Sequence, residues 1–390
     1  MMRLFRPWLL GIAISTVSVS LACAQEELKI GAIGPLSGGG TAWGLATQRG
    51  VQLAIDEVIA SGGLKVGGKA YTPKLIMYDD QYSATGGRTA AERLTSVDGV
   101  KYIIGPVGSP SVLAAVPITT AAKVILLSDG YAPGILKNEA GSPFNFRMVD
   151  SNLEFAPAMI AWLKKNKPEV KKVAIIAPND AVGQAAIPTL AKAYKDGGIE
   201  VWTEMYERGT KEFTPLLTRM IAADVDLFDL NSNAPGEAGL LLKQARQAGF
   251  DKQIWQVGGP SVDEIINIAG PLAEGFVSYD LFDFTRPDAQ NFVKAYHAKW
   301  DGTINAQTPI WYTAAKILFH AIETAGTTDV EAVRDALLKI EGWNTGFYGP
   351  VVWGGQADYG VNHQLLQNFW ITQVKDGKPN TLAIITPEKR

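Results

Sequence analysis

Apolar positions along this chain fall into two alternating rhythms. Residues 28–33 form a short β-type run, and 43–61 follow as a helix with Val51, Ala54, Ile55, Val58 and Ile59 on one face. Gly62-Gly63 stops that helix. The alternation continues with a strand at 74–79, a helix at 84–97, strands at 100–104 and 124–128, and a short helix at 111–122 between them. A second stretch repeats the logic. Strands are predicted at 173–177, 200–206, 227–230 and 254–257, alternating with helices at 183–195, 213–223 and 235–248. Strands separated by helices of this length imply parallel sheets covered on both faces. Residues 144–150 break the rhythm, and a new apolar strand begins only after Pro168, which favours two sheets over one.

After Ala269 the pattern changes. A strand-like segment at 274–282 precedes three amphipathic helices at 289–300, 309–325 and 330–340. Late strands follow at 348–353 and 369–374, then a turn at Asp376-Gly377-Lys378. The economical arrangement returns the helical block to the first unit, so the chain crosses between units near 147–152, 278–281 and 349–358. The expected fold is α/β, with two doubly wound, Rossmann-like lobes. Lobe one comprises 25–148 and 280–352. Lobe two comprises 149–279 and 353–390.

Composition then sets the compartment. Arg3 and Arg6 open the chain, 8–22 is apolar or small and uncharged, and Ala22-Cys23-Ala24 reads as an A-x-A cleavage site. Residues 1–24 therefore read as a secretory signal peptide. A membrane anchor is disfavoured because the apolar core falls short of the ~20 residues that span a bilayer. Lipidation at Cys23 is disfavoured because Ser20-Leu21-Ala22 lacks a large aliphatic residue at the usual place. Cleavage removes the only cysteine, leaving no disulfide and no thiolate. The chain has 36 basic and 39 acidic residues and no basic stripe, so nucleic acid and anionic membrane are poor partners. A soluble monomer in the periplasm is the expectation.

In open parallel sheets the ligand crevice lies beyond the carboxyl ends of the strands. Several predicted strands end in small or polar loops, at 34–40, 105–111, 128–131, 179–184, 231–236 and 258–262. Such loops present backbone N–H groups and helix N-termini, which suit a carboxylate. Catalytic machinery is not legible. His297 and His320 fall within predicted helices and His363 in a late loop, none beside a strand end. The sequence has no H-E-x-x-H, no Cys/His cluster and no G-x-S-x-G. Residues 34–40 are glycine-rich but lack the G-K-[ST] ending of a phosphate loop. Asp79-Asp80 reads as a solvated strand-end turn. No catalytic residue, metal or cofactor is expected. Ser109 and Ser128 each follow a β-run at a loop opening on the crevice. Each hydroxyl either grips a carboxylate or caps the following helix.

The chain resembles the periplasmic substrate-binding proteins of ABC importers, in the branched-chain amino acid (leucine/isoleucine/valine-binding) branch. The resemblance is carried by Ile30-Gly31-Ala32-Ile33-Gly34-Pro35-Leu36-Ser37-Gly38, Ala54-Ile55-Asp56-Glu57, Ile103-Ile104-Gly105-Pro106 and Phe146-Arg147. It continues in Phe213-Thr214-Pro215-Leu216-Leu217, Gly236-Glu237-Ala238-Gly239, Lys243-Gln244-Ala245-Arg246 and Ala273-Glu274-Gly275. It implies a type I periplasmic-binding fold whose two lobes are joined by three strands. It also implies a cleft-bound ligand, delivery to an ABC transporter membrane permease, and no catalysis.

The resemblance further implies that Ser109 holds the ligand carboxylate, with backbone donors near Gly130 and Tyr131 and an aromatic wall at Trp43. The family's ammonium cage is missing in three places. The usual acid falls on Gly258, and two usual aromatics fall on Ala234 and Val182. Asp150 lies close to the acid expected just after Phe146-Arg147. An ammonium desolvated in a cleft needs a carboxylate or aromatic faces. The favoured ligand is therefore a small carboxylate without an α-amino group, aromatic or otherwise apolar. The alternative is an apolar L-amino acid, branched-chain ones included, with Asp150 or Glu237 supplying the charge. An exported enzyme, or a sensor partner feeding a signalling protein, is the competing reading from another class.

Overall fold

The computed structural model describes residues 26–136, 143–231 and 233–386. The predicted leader and Cys23 lie outside them. In chain order the first elements are β1 (Glu26–Gly34), α1 (Thr41–Ala60), β2 (Leu64–Val66), β3 (Lys69–Asp79), α2 (Ala84–Ser96) and β4 (Tyr102–Val107). Then come α3 (Ser109–Ala121), β5 (Ile125–Asp129), β6 (Asn145–Arg147) and α4 (Asn152–Asn166). The next run is β7 (Lys172–Pro178), α5 (Ala181–Asp196), β8 (Glu200–Tyr206), α6 (Thr214–Ala222), β9 (Leu227–Asp229), α7 (Pro235–Gln247), β10 (Gln253–Gln256) and α8 (Val262–Ala269). The chain closes with β11 (Val277–Asp280), α9 (Gln290–His297), α10 (Thr308–Ala325), α11 (Val330–Lys339), β12 (Trp353–Gly354), α12 (Gln356–Tyr359), β13 (Gln364–Leu365), β14 (Phe369–Lys375) and β15 (Lys378–Ile385).

The strands form two sheets. One has eight strands in the order β12-β13-β6-β5-β4-β1-β3-β2, and the other has seven in the order β15-β14-β11-β10-β9-β7-β8. The first sheet has a parallel centre and two antiparallel edges, and the second is parallel from β8 to β11 with antiparallel β14 and β15 at one edge. β4 and β5 are buried along their whole length, which explains why they read as unbroken apolar runs. β8 lies at a sheet edge and is mostly open to solvent. In the first sheet the order reverses between β1 and β4, and in the second between β7 and β9. Doubly wound sheets bind ligands at such reversals.

The late helices α9 and α10 both contact α1, and α11 packs on α10. α10 packs on α1, and the closeness of that crossing explains Gly50: a Cβ there would sit 2.4 Å from the Thr308 carbonyl oxygen. α10 is buried along most of its length through Ile310, Trp311, Ala314, Ile317, Leu318 and Ile322.

Three features differ from the sequence reading. α4 starts where the rhythm was seen to break, held by a capping box in which Ser151 and Glu154 satisfy each other's backbone donors. The third crossing lies after β13, at 366–368, and not at 349–358. β12 and β13 belong to the first sheet, where β13 pairs with β6 through Gln364 and Arg147. A lobe-one segment ending at 352 is therefore too short. The strand expected at 348–353 contracts to Trp353–Gly354, and two-residue strands carry no period-2 signal. The late turn holds, with Asp376 and Gly377 at φ +51° and +69° joining β14 to β15.

A buried relay stiffens the second lobe. Trp255 Nε1 donates to the Tyr194 hydroxyl (2.8 Å), which donates to Asp229 Oδ2 (2.8 Å), while the Val257 N–H reaches Asp229 Oδ1 (3.1 Å). Tyr194→Phe strips a donor from Asp229 and orphans the Trp255 N–H. It should cost about 1–3 kcal/mol of unfolding free energy in urea titration.

Candidate functional site: the seam between the lobes

The carboxyl ends of the two sheets face each other across a closed seam. On the first side, the β4–α3 turn requires Gly108, which sits at φ +94° with its missing Cβ replaced by the Tyr82 ring. That turn delivers Ser109 to the first turn of α3, fully buried. The Ser109 hydroxyl oxygen accepts the Ala132 N–H (3.0 Å), which leaves its hydrogen free to donate. The loop after β5 is tied to this turn, because the Gly108 N–H donates to the Asp129 carbonyl (2.7 Å). Gly130 lies beside Ser109, with no room for a side chain next to Ile135.

Two links cross the seam at Gly258-Gly259-Pro260. Trp43 Nε1 donates to the Pro260 carbonyl (2.8 Å), and the Gly259 N–H reaches the Tyr131 hydroxyl (3.3 Å). Gly258 and Gly259 both have φ near +80°, which turns the loop so that these two groups face the first lobe. Trp43 also packs against Tyr82, with ring centroids 5.5 Å apart. Tyr131 meets Phe155 edge-on at 5.0 Å, and Tyr279 of β11 at 6.3 Å.

Val182 and Ala234 sit on the second side, both buried. The Val182 N–H is committed to Asp180 Oδ1 (3.0 Å), and Ala234 caps α7, whose start contacts the turn Gly38–Gly40 of the first lobe. Ser128 belongs to the fold instead. Its hydroxyl donates to Asn145 Oδ1 (2.9 Å) between β5 and β6, so it neither caps the following helix nor points a free hydrogen at the seam.

The two carboxylates considered as ammonium partners differ sharply. Glu237 is consumed: Arg208 Nη1 (2.7 Å) and the Tyr206 hydroxyl (3.1 Å) bond its Oε2, and the Gly209 N–H (2.8 Å) bonds its Oε1. Asp150 is buried with Oδ1 unpartnered. Burial, with Glu154 nearby, holds its carboxyl well above the usual range, and Arg147 pulls it back.

Sequence reasoning missed five residues that the fold brings to this seam. Arg208 bonds Asp180 (2.7 Å) as well as Glu237, and stacks over the Tyr82 ring of the other lobe at 4.5 Å. Its Nη2 is buried without a partner, as are the Tyr279 hydroxyl and Gln307 Oε1. Asp129 accepts Gln307 Nε2 at 2.9 Å. Asp129 stood between two residues that were singled out, and a strand-end aspartate alone reads as a turn residue. Arg208, Tyr279 and Gln307 are remote in sequence and carry no local signal. Two cavities of about 640 and 690 Å³ lie elsewhere, one walled by α4 and α5 and one around Trp370. The chemistry of the seam, and not cavity size, singles it out. Among the described residues, no His, Cys, Asp and Glu group is arranged to hold a metal ion, and no helix is long and apolar enough to cross a membrane. His363 bonds the Asn145 carbonyl and stacks on Phe146, and His320 stacks on Trp343.

Burial raises Asp129 to about 7, against the pull of Arg147, and raises Asp80 to about 6. Between pH 4 and 7 the folded chain therefore keeps protons that the unfolded chain has released, so this contribution is present in acid and lost as pH rises. Melting temperature should fall from pH 5 to pH 8 at constant ionic strength, and Asp129→Asn should flatten that fall.

A family model described as periplasmic binding protein matches residues 27–379. The leucine-, isoleucine-, valine-, threonine-, and alanine-binding protein of Pseudomonas aeruginosa is 27% identical over 321 residues, which is 82% of this chain and 84% of that protein. The crystal structure of a leucine binding protein, LivK, from Thermotoga maritima superposes with a TM-score of 0.80 at 25% identity, covering 92% of this chain and 99% of that one. A solute binding protein of an ABC transporter from Rhodopseudomonas palustris, in complex with 3,4-dihydroxybenzoic acid, shares the fold with a TM-score of 0.77 at 24% identity, over 93% and 98% of the two chains.

Proposed function

Because this chain belongs to the periplasmic binding protein family, we propose that it is a monomeric periplasmic receptor, exported by a cleaved leader. It captures a small carboxylate with an apolar, preferably aromatic, body and hands it to an ABC transporter permease. The observation that carries this reading is the buried Ser109 hydroxyl, oriented by the Ala132 N–H at the end of a desolvated seam. A hydroxyl held as an acceptor on one side has its hydrogen free for a carboxylate on the other. Trp43, Tyr82 and Tyr131 provide the apolar wall. The receptor role, in place of an enzymatic one, rests on the family.

The three passages between sheets act as the hinge. Few direct bonds cross the seam, so a ligand that bridges Ser109 to the second lobe shifts the population toward the closed form.

Two ligand classes compete. Acids without an α-amino group are favoured by the loss of acid and aromatics at Gly258, Ala234 and Val182, and by the commitment of Glu237 to Arg208. Apolar L-amino acids are favoured by the unpartnered Asp150 and by the amino acids named for the Pseudomonas aeruginosa relative.

Ser109→Ala should weaken ligand binding by about 1.5–3 kcal/mol in calorimetry, the range for a hydrogen bond to a charged group. Trp43→Ala should weaken it while leaving the protein folded by circular dichroism. Unchanged affinity in Ser109→Ala would move the carboxylate elsewhere.

A thermal-shift panel ranks ligands directly, since a compound that binds only the folded state stabilises it by RT ln(1 + [L]/Kd). Aromatic and branched acids lacking the α-amino group should raise the melting temperature more than leucine, valine or phenylalanine. The reverse ranking would make Asp150 or Asp129 the ammonium partner.

A further inference from the structure

We infer that Asp129, positioned by Gln307, reads a hydrogen-bond donor carried by the ligand close to its carboxylate. The ligand is then a donor-bearing carboxylic acid, the donor being a hydroxyl or an ammonium, and not a bare acid. This rests on the reading of Ser109 as the carboxylate grip.

The placement is fixed by backbone bonds. Asp129 ends β5, and its carbonyl accepts the N–H of Gly108, the residue that precedes Ser109. Three residues further on, the Ala132 N–H donates to the Ser109 hydroxyl. Asp129 therefore sits inside the same pair of turns that forms the grip. It is 2% exposed and takes part in no ion pair among the described residues. Gln307, at the start of α10, gives its amide N–H to Asp129 Oδ2 and leaves its own oxygen buried and unpartnered.

The groups facing this carboxyl are aromatic or distant: Tyr82, Tyr131 and Tyr279 around it, and Arg147 and Asp150 further along the hinge. Arg147 spends Nε on Gln364 and Nη1 on the Ala132 carbonyl and keeps Nη2 buried without a partner, so it pulls on Asp129 through its charge but makes no hydrogen bond to it. A buried carboxyl not bonded to a cation is costly unless it meets a donor or keeps a proton. A carboxylate ligand on Ser109 would raise that cost by adding a like charge nearby. A ligand O–H or N–H directed at Asp129, with the bare Gln307 oxygen as a second acceptor, removes it. The unfilled acceptors thus lie beside the filled grip, which is the pattern a donor-bearing acid completes.

The test compares matched carbon skeletons by calorimetry: 4-methylpentanoate, 2-hydroxy-4-methylpentanoate and leucine, then 3-phenylpropanoate, 3-phenyllactate and phenylalanine. In the parent protein at least one donor-bearing member of a set should bind about tenfold or more tighter than the bare acid. Asp129→Asn should reduce that advantage to under about threefold, with the bare acid binding tighter than to the parent because the like charge beside it is gone. An advantage confined to leucine and phenylalanine identifies an ammonium, and one confined to the hydroxy acids identifies a hydroxyl. Gln307→Ala should shift the pH midpoint of binding upward, because the amide N–H favours ionised Asp129. A purely structural glutamine would leave that midpoint in place. Equal binding of all three members, or an advantage that survives Asp129→Asn, overturns the inference. Carboxamides binding as tightly as the acids would defeat the carboxylate grip itself, and this inference with it.

Discussion

The molecule depends on one constraint: two parallel sheets direct their carboxyl ends into the same desolvated seam. Strand-end loops carry unpaired backbone donors, and the helices that follow begin with unsatisfied N–H groups. In a single sheet these groups would face water. Here Ser109, Asp129, Asn231 and Asp150 are all buried, and Asn231 Oδ1 and Asp150 Oδ1 have no protein partner. A buried polar group left unmade costs about 1–3 kcal/mol, so a closed seam of this kind stores a demand for a polar ligand.

The lobes share a buried apolar cluster that includes Trp43 and Tyr131 on one side and Phe155, Val182 and Tyr279 on the other, and the polar links between them are individually weak. Direct links include Trp43 to Pro260, Tyr131 to Gly259, Asn305 to Glu264, Asn267 to Thr303, Tyr359 to Glu154, and the stacking of Arg208 on Tyr82. Each is worth about 1 kcal/mol, and opening would return every one of these groups to water. The rigid parts lie elsewhere, in the packing of α10 on α1 and in the relay from Trp255 to Asp229. Under the proposed function, stiff lobes with weak polar links across the seam are what a ligand's differential affinity would bias.

Arg208 decides much of the seam's electrostatics. It absorbs Asp180 and Glu237, two carboxylates that would otherwise face the ligand from the second lobe. The unspent acids, Asp129 and Asp150, lie on the first lobe and the hinge. Unpaired acidity at the seam is therefore one-sided, with the apolar residues Val182 and Ala234 opposite.

Much of this was written locally in the chain. Periodicity alone separates the two α/β stretches, because fully buried parallel strands read as apolar runs and covering helices repeat at 3.6 residues. Ser109 was legible because it follows a β-run at a strand-end loop, whereas Tyr131 and Trp43 came from the family resemblance. The capping box at Ser151 and Glu154 was present but overlooked, so α4 was not anticipated. What only the tertiary structure decided depends on contacts between distant segments. Gln307 bonds Asp129 across 178 positions, and Arg208 reaches Glu237 across 29 positions and Tyr82 in the opposite lobe. β12 and β13 are too short to show a period, so their sheet, and with it the third crossing, is set by pairing to β6. Local sequence determines which elements form, because backbone geometry and burial act over a few residues. The partners of a buried charge are determined by which strand ends the topology brings together.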